Sequence, residues 1–96
     1  MINNISIETL KNNMDLYDII DLRRIESYNN GHVDGARNID FNQLIIEPHK
    51  YMKKGNKYCL YCQKGVKSIK VCQILSRQGY NVYNLNGGYE AWILNE

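Results

Sequence analysis

The sequence predicts an α/β domain built on a largely parallel sheet. Short runs of β-branched and aromatic residues alternate along the chain with segments whose apolar residues follow a helical period. Glycine, asparagine or proline marks most changes from one type of segment to the other. The 96 residues are 44% hydrophobic and contain no linker or internal repeat. We therefore expect a single domain over residues 1–96 with a substantial core.

The first predicted strand is NISI, at residues 4–7. The segment SIETLKNN then predicts a helix start, for which Ser6 or Thr9 can serve as the N-cap. The apolar, branched run YDIIDL at residues 17–22 is typical of a buried strand. These segments give the first strand–helix–strand alternation.

The following segments are shorter and richer in turn residues. RRIESYNNG predicts one or two helical turns that end at Gly31. A short extended piece is expected at residues 37–39, after one further glycine, Gly35. NQLIIEPHKYM is expected to begin as a helix and to be broken by Pro48, which lacks the backbone N–H that a helix interior needs.

The second half of the chain carries the clearest pattern. KYCLYC, at residues 57–62, is the strongest predicted strand because it is rich in aromatic residues and has no internal breaker. A helical rhythm of apolar residues over 68–78 predicts a helix that Gly79 ends. NVYNL then predicts a strand, NGG a turn and YEAWIL a last helix.

Charge and targeting signals exclude several classes of protein. The net charge is +2, from 12 basic and 10 acidic residues, so nothing favours a nucleic acid partner. No segment approaches the about 18 apolar residues of a transmembrane helix, so no membrane partner is expected. The N-terminus lacks a signal peptide pattern, and three cysteines, an odd number, indicate free thiols. These features predict a cytoplasmic protein.

Cys62 lies where the strongest predicted strand passes into a helix. Ligands of open α/β sheets bind outside the carboxyl ends of the strands, where loop N–H groups and the helix dipole favour an anion. Gly65 permits a tight turn, and Lys64 and Lys67 add positive charge. All of these features favour a thiolate and predict a nucleophilic cysteine. The alternative is a cysteine that only packs in the core.

Three segments in order resemble the rhodanese-like family: DLRRIESYNNGHVDGARNI, CQKGVKS and NLNGGYEAW. Each motif is moderately specific, and their ordered combination, which covers most of the chain, is strongly so. The resemblance implies a rhodanese-like fold, in which helices flank both faces of a central, mostly parallel sheet.

The resemblance also implies an activity. In active members the loop cysteine takes the outer sulfur of a donor such as thiosulfate as a persulfide, and an acceptor such as cyanide removes it. Cys62 would be this persulfide carrier, with Lys64 holding the sulfonate of the donor. No metal and no organic cofactor would be required. The substrate-binding loop would consist of Gln63, Lys64, Gly65, Val66 and Lys67, with Ser68 in a supporting position.

Loop length distinguishes the chemistries that this family resemblance allows. Sulfur-transferring members have a six-residue loop, as here from Cys62 to Lys67. Dual-specificity phosphatases and arsenate reductases on this fold have one residue more, which makes room for a larger oxyanion. Many relatives have arginine or a hydroxyl residue where this chain has Lys67. Because lysine lacks the planar fork of arginine, the difference bears on donor preference.

Other polar residues are expected to support the scaffold. Asp21 and Arg23, at the end of a buried strand, are predicted to form an ion pair that braces the floor of the site, or an ordinary exposed pair. Gly87 and Gly88 are expected to shape a loop on the side of Cys62. The family resemblance assigns His32 to a turn, with general-base catalysis as the alternative.

Cys59 and Cys62 form a C-x-x-C pattern, which a thioredoxin-like redox pair or a zinc site would also contain. Cys59 lies inside a strand, and neither Cys72 nor the two histidines, His32 and His49, complete a recognisable zinc pattern. We therefore expect Cys59 and Cys72 to be packed in the core and His49 to lie at the surface.

Together these observations predict a sulfurtransferase that works through a Cys62 persulfide. The donor would be a small sulfur-containing anion such as thiosulfate. The alternative is a sulfur-relay or protein-binding module that exchanges persulfide with a protein donor or acceptor and has little thiosulfate activity of its own. Fold alone does not distinguish the two, because function resides in the site.

Overall fold

The computed structural model describes residues 2–95. Strands and α-helices alternate along this part of the chain, and single 3₁₀ turns at Met14–Leu16 and Pro48–Lys50 lie in two of the connections. The strands are β1 (Asn3–Ile5), β2 (Asp18–Asp21), β3 (Arg37–Asn38), β4 (Lys57–Tyr61) and β5 (Asn81–Leu85). The helices are α1 (Ile7–Asn12), α2 (Ile25–Asn30), α3 (Phe41–Ile46), α4 (Lys67–Arg77) and α5 (Gly88–Leu94).

The five strands form one sheet in the order β1-β5-β4-β2-β3. All four strand pairings are parallel. The predicted α/β class with a mostly parallel sheet is therefore confirmed, and within residues 2–95 the sheet is parallel throughout. Strand β4 lies in its centre between β5 and β2, and the carboxyl ends of these parallel strands open onto a common edge where loops can meet.

Side chains that alternate along the strands pack into two separate hydrophobic cores, one on each face of the sheet. On β4, Tyr58 and Leu60 pack into one core and Cys59 and Tyr61 into the other, as the two-residue period of a strand requires. The first core includes Leu44 of α3 together with Val71, Cys72 and Leu75 of α4. The second includes Leu10 of α1 and Trp92 of α5. Helices thus cover both faces of the sheet, which confirms the predicted layering.

Element boundaries differ from the predictions by a few residues. Ser6 is the N-cap of α1, and its side chain accepts a hydrogen bond from the N–H of Thr9 at 3.0 Å. Strand β4 ends at Tyr61, so Cys62 is the first residue beyond the strand and not its last. Helix α4 begins at Lys67, one residue before the predicted start. These shifts change little in the core. The earlier end of β4, however, leaves Cys62 outside the hydrogen-bond ladder of the sheet.

The cysteines Cys59, Cys62 and Cys72 are all free and buried. Within residues 2–95, no group of histidine, cysteine or carboxylate side chains could hold a metal ion. None of the helices over the same residues has the length and apolar character needed to cross a membrane.

Candidate active site

Cys62 lies directly beyond β4, at the carboxyl edge of the sheet. Its side chain is only 5% exposed, yet it lines a cavity of about 350 Å³ between its loop and the segments after β2 and β3. The sulfur accepts a hydrogen bond from the N–H of Ser68 at 3.3 Å, and Ser68 Oγ lies 3.3 Å away. The cavity is lined by Leu22, Arg23, Arg24, Ser27, Asp40, Phe41, Cys62, Gln63 and Lys67.

The sulfur of Cys62 takes the place of a helix cap. Val66 occupies the N-cap position of α4 and makes no side-chain capping bond. The N–H of Ser68, in the first turn of the helix, donates to the sulfur instead. First-turn N–H groups have no partner within the helix, so an acceptor at this point satisfies one of them. The cysteine is thus both anchored by α4 and placed at its positive end.

The surroundings of Cys62 lower the pKa of its thiol. Burial alone raises this pKa, but the hydrogen bonds that a thiolate can accept here, from the hydroxyl and the N–H of Ser68 and from the N–H groups of Gly65 and Lys67, outweigh burial. Directed hydrogen bonds therefore lower the pKa, as expected of the loop N–H groups, and the two loop lysines that were also expected to contribute are not among the causes. Of the predicted substrate-binding loop, only Gly65 and Lys67 direct an N–H group at the sulfur, and Ser68 supplies a third N–H donor.

Glycines allow the loop of Cys62 to pack against the start of α5. Gly65 has φ +83° and Gly88 φ +60°, conformations that favour glycine. The N–H of Tyr89 donates to the carbonyl of Cys62 at 2.9 Å, and that of Glu90 to the carbonyl of Gln63 at 3.0 Å. As expected, Gly88 lies on the side of Cys62. The contact is backbone on backbone.

Replacing Gly88 with alanine is expected to lower stability by at least about 3 kcal/mol and to impair any reaction at Cys62. A Cβ at Gly88 would collide with the carbonyl of Cys62 and would lie 2.7 Å from the backbone nitrogen of Gly65. Gly35→Ala is the matched control, because Gly35 also has a positive φ (+80°) but has nothing within 4 Å of its Cβ position. Chemical denaturation of both variants measures the difference. Equal losses of stability would contradict the close-approach role of Gly88.

Asp21 and Arg23 form the predicted ion pair, and it is buried. Arg23 Nη2 lies 2.7 Å from Asp21 Oδ2, and the two side chains are 7% and 0% exposed. The exposed alternative is therefore wrong. Arg23 Nη1 also donates to Gln63 Oε1 at 3.1 Å, and its guanidinium lies 4.0 Å from the ring centroid of Tyr89. The pair thereby connects the end of β2 with the loop of Cys62 and with α5.

The two loop lysines have different surroundings. Lys67 Nζ lies 5.0 Å from the ring centroid of Phe41, so this lysine has a packing partner that the sequence did not indicate. Lys64 is exposed. Lys64 and Lys67 line an open apolar depression of about 540 Å³ beside the sulfur. Its other lining residues are Cys62, Gln63, Val66 and Lys70. Positive charge thus surrounds the opening near the sulfur.

The remaining candidates lie away from the site or in the core. Cys59 and Cys72 are fully buried, as expected. Burial also raises the pKa of both thiols, that of Cys72 to about 12. The ring of His32 stacks on that of Tyr28, with 3.8 Å between the ring centroids, and its Nδ1 lies 2.8 Å from the Tyr28 carbonyl oxygen. These local contacts suit the predicted role of His32 in a turn. His49 is exposed.

Two contributors to the site were missed in the sequence. Tyr89 covers the guanidinium of Arg23, a contact that its place in the last predicted helix did not indicate. Asn84 is 1% exposed and accepts a hydrogen bond from Ser68, the residue that contacts the sulfur. The one available signal was an amide at an inward position of the strand NVYNL, where an apolar residue would be expected.

Comparison with known proteins agrees with the fold. The family model of the rhodanese-like domain matches residues 6–95. A thiosulfate sulfurtransferase, GlpE, of Shewanella oneidensis is 36% identical over 75 residues, which cover 77% of this chain and 73% of that protein. The uncharacterized protein YqhL of Bacillus subtilis is 37% identical over 75 residues, again 77% of this chain but 59% of that protein. The match thus spans less than two thirds of the length of YqhL.

A solved structure shows the same architecture. A rhodanese-related protein from Thermoplasma volcanium superposes with a TM-score of 0.89 and 27% identity, over 97% of this chain and 92% of that one. The family model covers nearly the whole sequence. The parallel sheet, with the loop of Cys62 at its carboxyl edge, fits the same family. This chain belongs to the rhodanese-like domain family.

Proposed function

We propose that this chain is a sulfurtransferase that carries sulfane sulfur as a persulfide on Cys62. The observation that supports this most directly is the environment of the sulfur, which faces a cavity and accepts hydrogen bonds from its own loop and from α4. Relatives named thiosulfate sulfurtransferase add support. Thiosulfate or another small sulfur-containing anion is the proposed donor.

The proposed reaction has two displacement steps that balance without an external oxidant. The Cys62 thiolate attacks the outer sulfur of thiosulfate, an S–S bond to Cys62 forms, and sulfite leaves with the electron pair of the broken bond. A thiophilic acceptor such as cyanide then attacks the outer sulfur of the persulfide. Thiocyanate is released and the thiolate of Cys62 returns. The loop N–H groups stabilise the anionic sulfur before and after transfer.

The test is to incubate the protein with thiosulfate, measure its intact mass and then add cyanide. We expect the mass of one added sulfur atom, which cyanide removes as thiocyanate. The matched control is the same protein alkylated at Cys62 beforehand. Absence of both the adduct and thiocyanate would contradict thiosulfate as donor.

Replacing Lys64 with alanine is expected to raise the KM for thiosulfate about two- to fivefold, with a smaller change in kcat. Lys64 is exposed beside the opening to Cys62, so its attraction for a dianion is partly screened by solvent. Lys53→Ala is the control, because Lys53 is also exposed but lies in a different region of the chain. Steady-state kinetics at low and high salt measure the effect. Unchanged kinetics for Lys64→Ala would remove this residue from donor binding.

A sulfur relay between proteins is the second candidate function. Val66 is 71% exposed in the depression beside Cys62, with Lys64, Lys67 and Lys70 around it. An apolar side chain ringed by charges favours contact with another protein more than with a small anion. If thiosulfate leaves no adduct but a protein persulfide, such as that of a cysteine desulfurase, does load Cys62, the relay takes precedence.

A further inference from the structure

A chain of hydrogen bonds leads from Cys62 across the sheet to the edge strand β1. Ser68 Oγ lies 3.3 Å from the Cys62 sulfur, and the Ser68 hydroxyl donates to Asn84 Oδ1. Asn84 Nδ2 donates in turn to Asn4 Oδ1 at 3.0 Å. Ser68 and Asn84 are 0% and 1% exposed, whereas Asn4 is exposed. The chain therefore connects a buried sulfur with a side chain at the surface.

Packing alone does not explain the amide of Asn84. In a strand, residues two apart share a face, so Asn84 lies on the same face of β5 as Val82, which belongs to the core beneath α3 and α4. A buried amide lowers stability unless its polar atoms are bonded, and an apolar side chain would pack there without that requirement. The amide is thus better explained by the partners it holds.

The direction of these bonds depends on whether Cys62 is a thiol or a thiolate. The Ser68 hydroxyl has one hydrogen, which it donates to Asn84. Its oxygen can then only accept from the thiol S–H of Cys62. A thiolate has no hydrogen to donate, so two acceptors would face each other unless the Ser68 hydroxyl turns toward the sulfur.

A reversed arrangement satisfies every atom for the thiolate. Once the Ser68 hydroxyl donates to the sulfur, rotation of the Asn84 amide places Nδ2 toward Ser68 and Oδ1 toward Asn4. The exposed Asn4 amide can rotate as well and donate through its Nδ2. Asparagine serves both directions because each amide has a donor and an acceptor.

We propose that Asn84 is a positioning residue which, with Asn4 at its outer end, couples the direction of the Ser68 hydroxyl to the ionisation of Cys62. Asn84 does not touch the reacting atoms and acts through Ser68. The inference deepens the proposed function, which needs the thiolate. It adds two residues, both distant in sequence from the loop, that control how readily the thiolate forms.

Other titratable and charged groups near Cys62 stay unchanged in the test. Two arginines follow β2, lysines belong to the loop and to α4, one carboxylate precedes α3, and a buried thiol lies in α4. Strand β5 contributes the amide of Asn84, and α5 contributes backbone N–H groups to the loop. The side chains concerned are Arg23, Arg24, Lys64, Lys67, Lys70, Asp40 and Cys72.

Replacing Asn4 with aspartate tests the proposal. An exposed carboxylate is ionised near neutral pH and can only accept a hydrogen bond, so it holds Asn84 Nδ2 toward β1. The Ser68 hydroxyl is then kept on Asn84 and away from the thiolate. We expect the pKa of Cys62 to rise by about one unit, seen as about tenfold slower iodoacetamide alkylation below that pKa.

Two controls separate the hydrogen-bond chain from simple charge. Asn3→Asp adds the same charge on the same strand, at another exposed residue. Asn3 is not a member of the hydrogen-bond chain, in which Asn84 bonds to Asn4. Ser68→Ala interrupts the chain next to the sulfur. We expect Asn3→Asp to leave the alkylation profile almost unchanged, and Asn4→Asp to have no effect beyond that of Asn3→Asp when Ser68 is alanine.

Three results would overturn the proposal: an unchanged profile in Asn4→Asp, equal shifts in the two aspartate variants, or a shift that persists in the Ser68→Ala background. Thermal unfolding shows whether each variant is folded, and mass spectrometry identifies Cys62 as the alkylated residue. No sulfur donor is present in this experiment. A failure of thiosulfate loading is therefore a separate result from a failure of the Asn84 proposal.

Discussion

Cys62→Ser is expected to abolish sulfur loading while the protein remains folded. A serine hydroxyl is not ionised near neutral pH and is a far weaker nucleophile toward sulfur than a thiolate. The loss of thiocyanate production should be on the order of 10³-fold or more. Because serine retains the hydrogen-bonding capacity toward Ser68, the loop and the first turn of α4 should stay in place.

The measurement is the intact mass after incubation with thiosulfate, beside far-ultraviolet circular dichroism to verify folding. The native chain should gain one sulfur atom and Cys62→Ser none. Cys72→Ala is the matched control, since Cys72 is fully buried and burial raises its pKa to about 12. That variant should still load sulfur. A sulfur adduct on folded Cys62→Ser would exclude Cys62 as the carrier.

Asp21→Asn is expected to lower the free energy of unfolding by about 3–5 kcal/mol. Asp21 is fully buried, and its carboxylate accepts hydrogen bonds from Arg23 Nη2 at 2.7 Å and from the hydroxyl of Tyr61 at 2.6 Å. Removing its charge leaves the guanidinium of Arg23 buried without a counterion. For a domain of this size the melting temperature should fall by more than about 10 °C.

Asp18→Asn provides the matched control at the other end of β2. Asp18 forms an ion pair with Arg37 at 3.0 Å, but both side chains are more than 40% exposed, at 43% and 42%. Such a pair contributes about 0–1 kcal/mol. Urea denaturation of the two variants compares the same chemical change in a buried and an exposed pair. Similar losses in both would contradict the bracing role of Asp21.

Arg23 makes this prediction relevant to activity as well as stability. Its guanidinium joins Asp21 to Gln63 and to the carbonyl of Gly31, at 3.1 Å and 2.6 Å respectively. We therefore expect Asp21→Asn to slow thiosulfate turnover even at temperatures where the variant is folded, because the loop of Cys62 loses one of its supports.

The amino-acid sequence determined the local features of this protein. Alternating periods of two and 3.6 residues indicated strands and helices, and Gly31, Pro48 and Gly79 marked several of their ends. The place of Cys62 between a strand and a helix was also evident, because a parallel sheet puts such a residue at its carboxyl edge. Ordered motifs carried the family resemblance, and with it the parallel sheet flanked on both faces.

Only the tertiary structure decided which distant residues meet at that edge. The sequence did not show that Gly88 lies against the loop of Cys62, that Tyr89 covers Arg23, or that Asn84 bonds to Ser68. These partners are separated from one another by 16 or more positions along the chain and come together through the order β5-β4-β2 of the sheet. Periodicity reports which face of an element is buried. What that face touches is set by packing between elements, and here packing set the ionisation of Cys62.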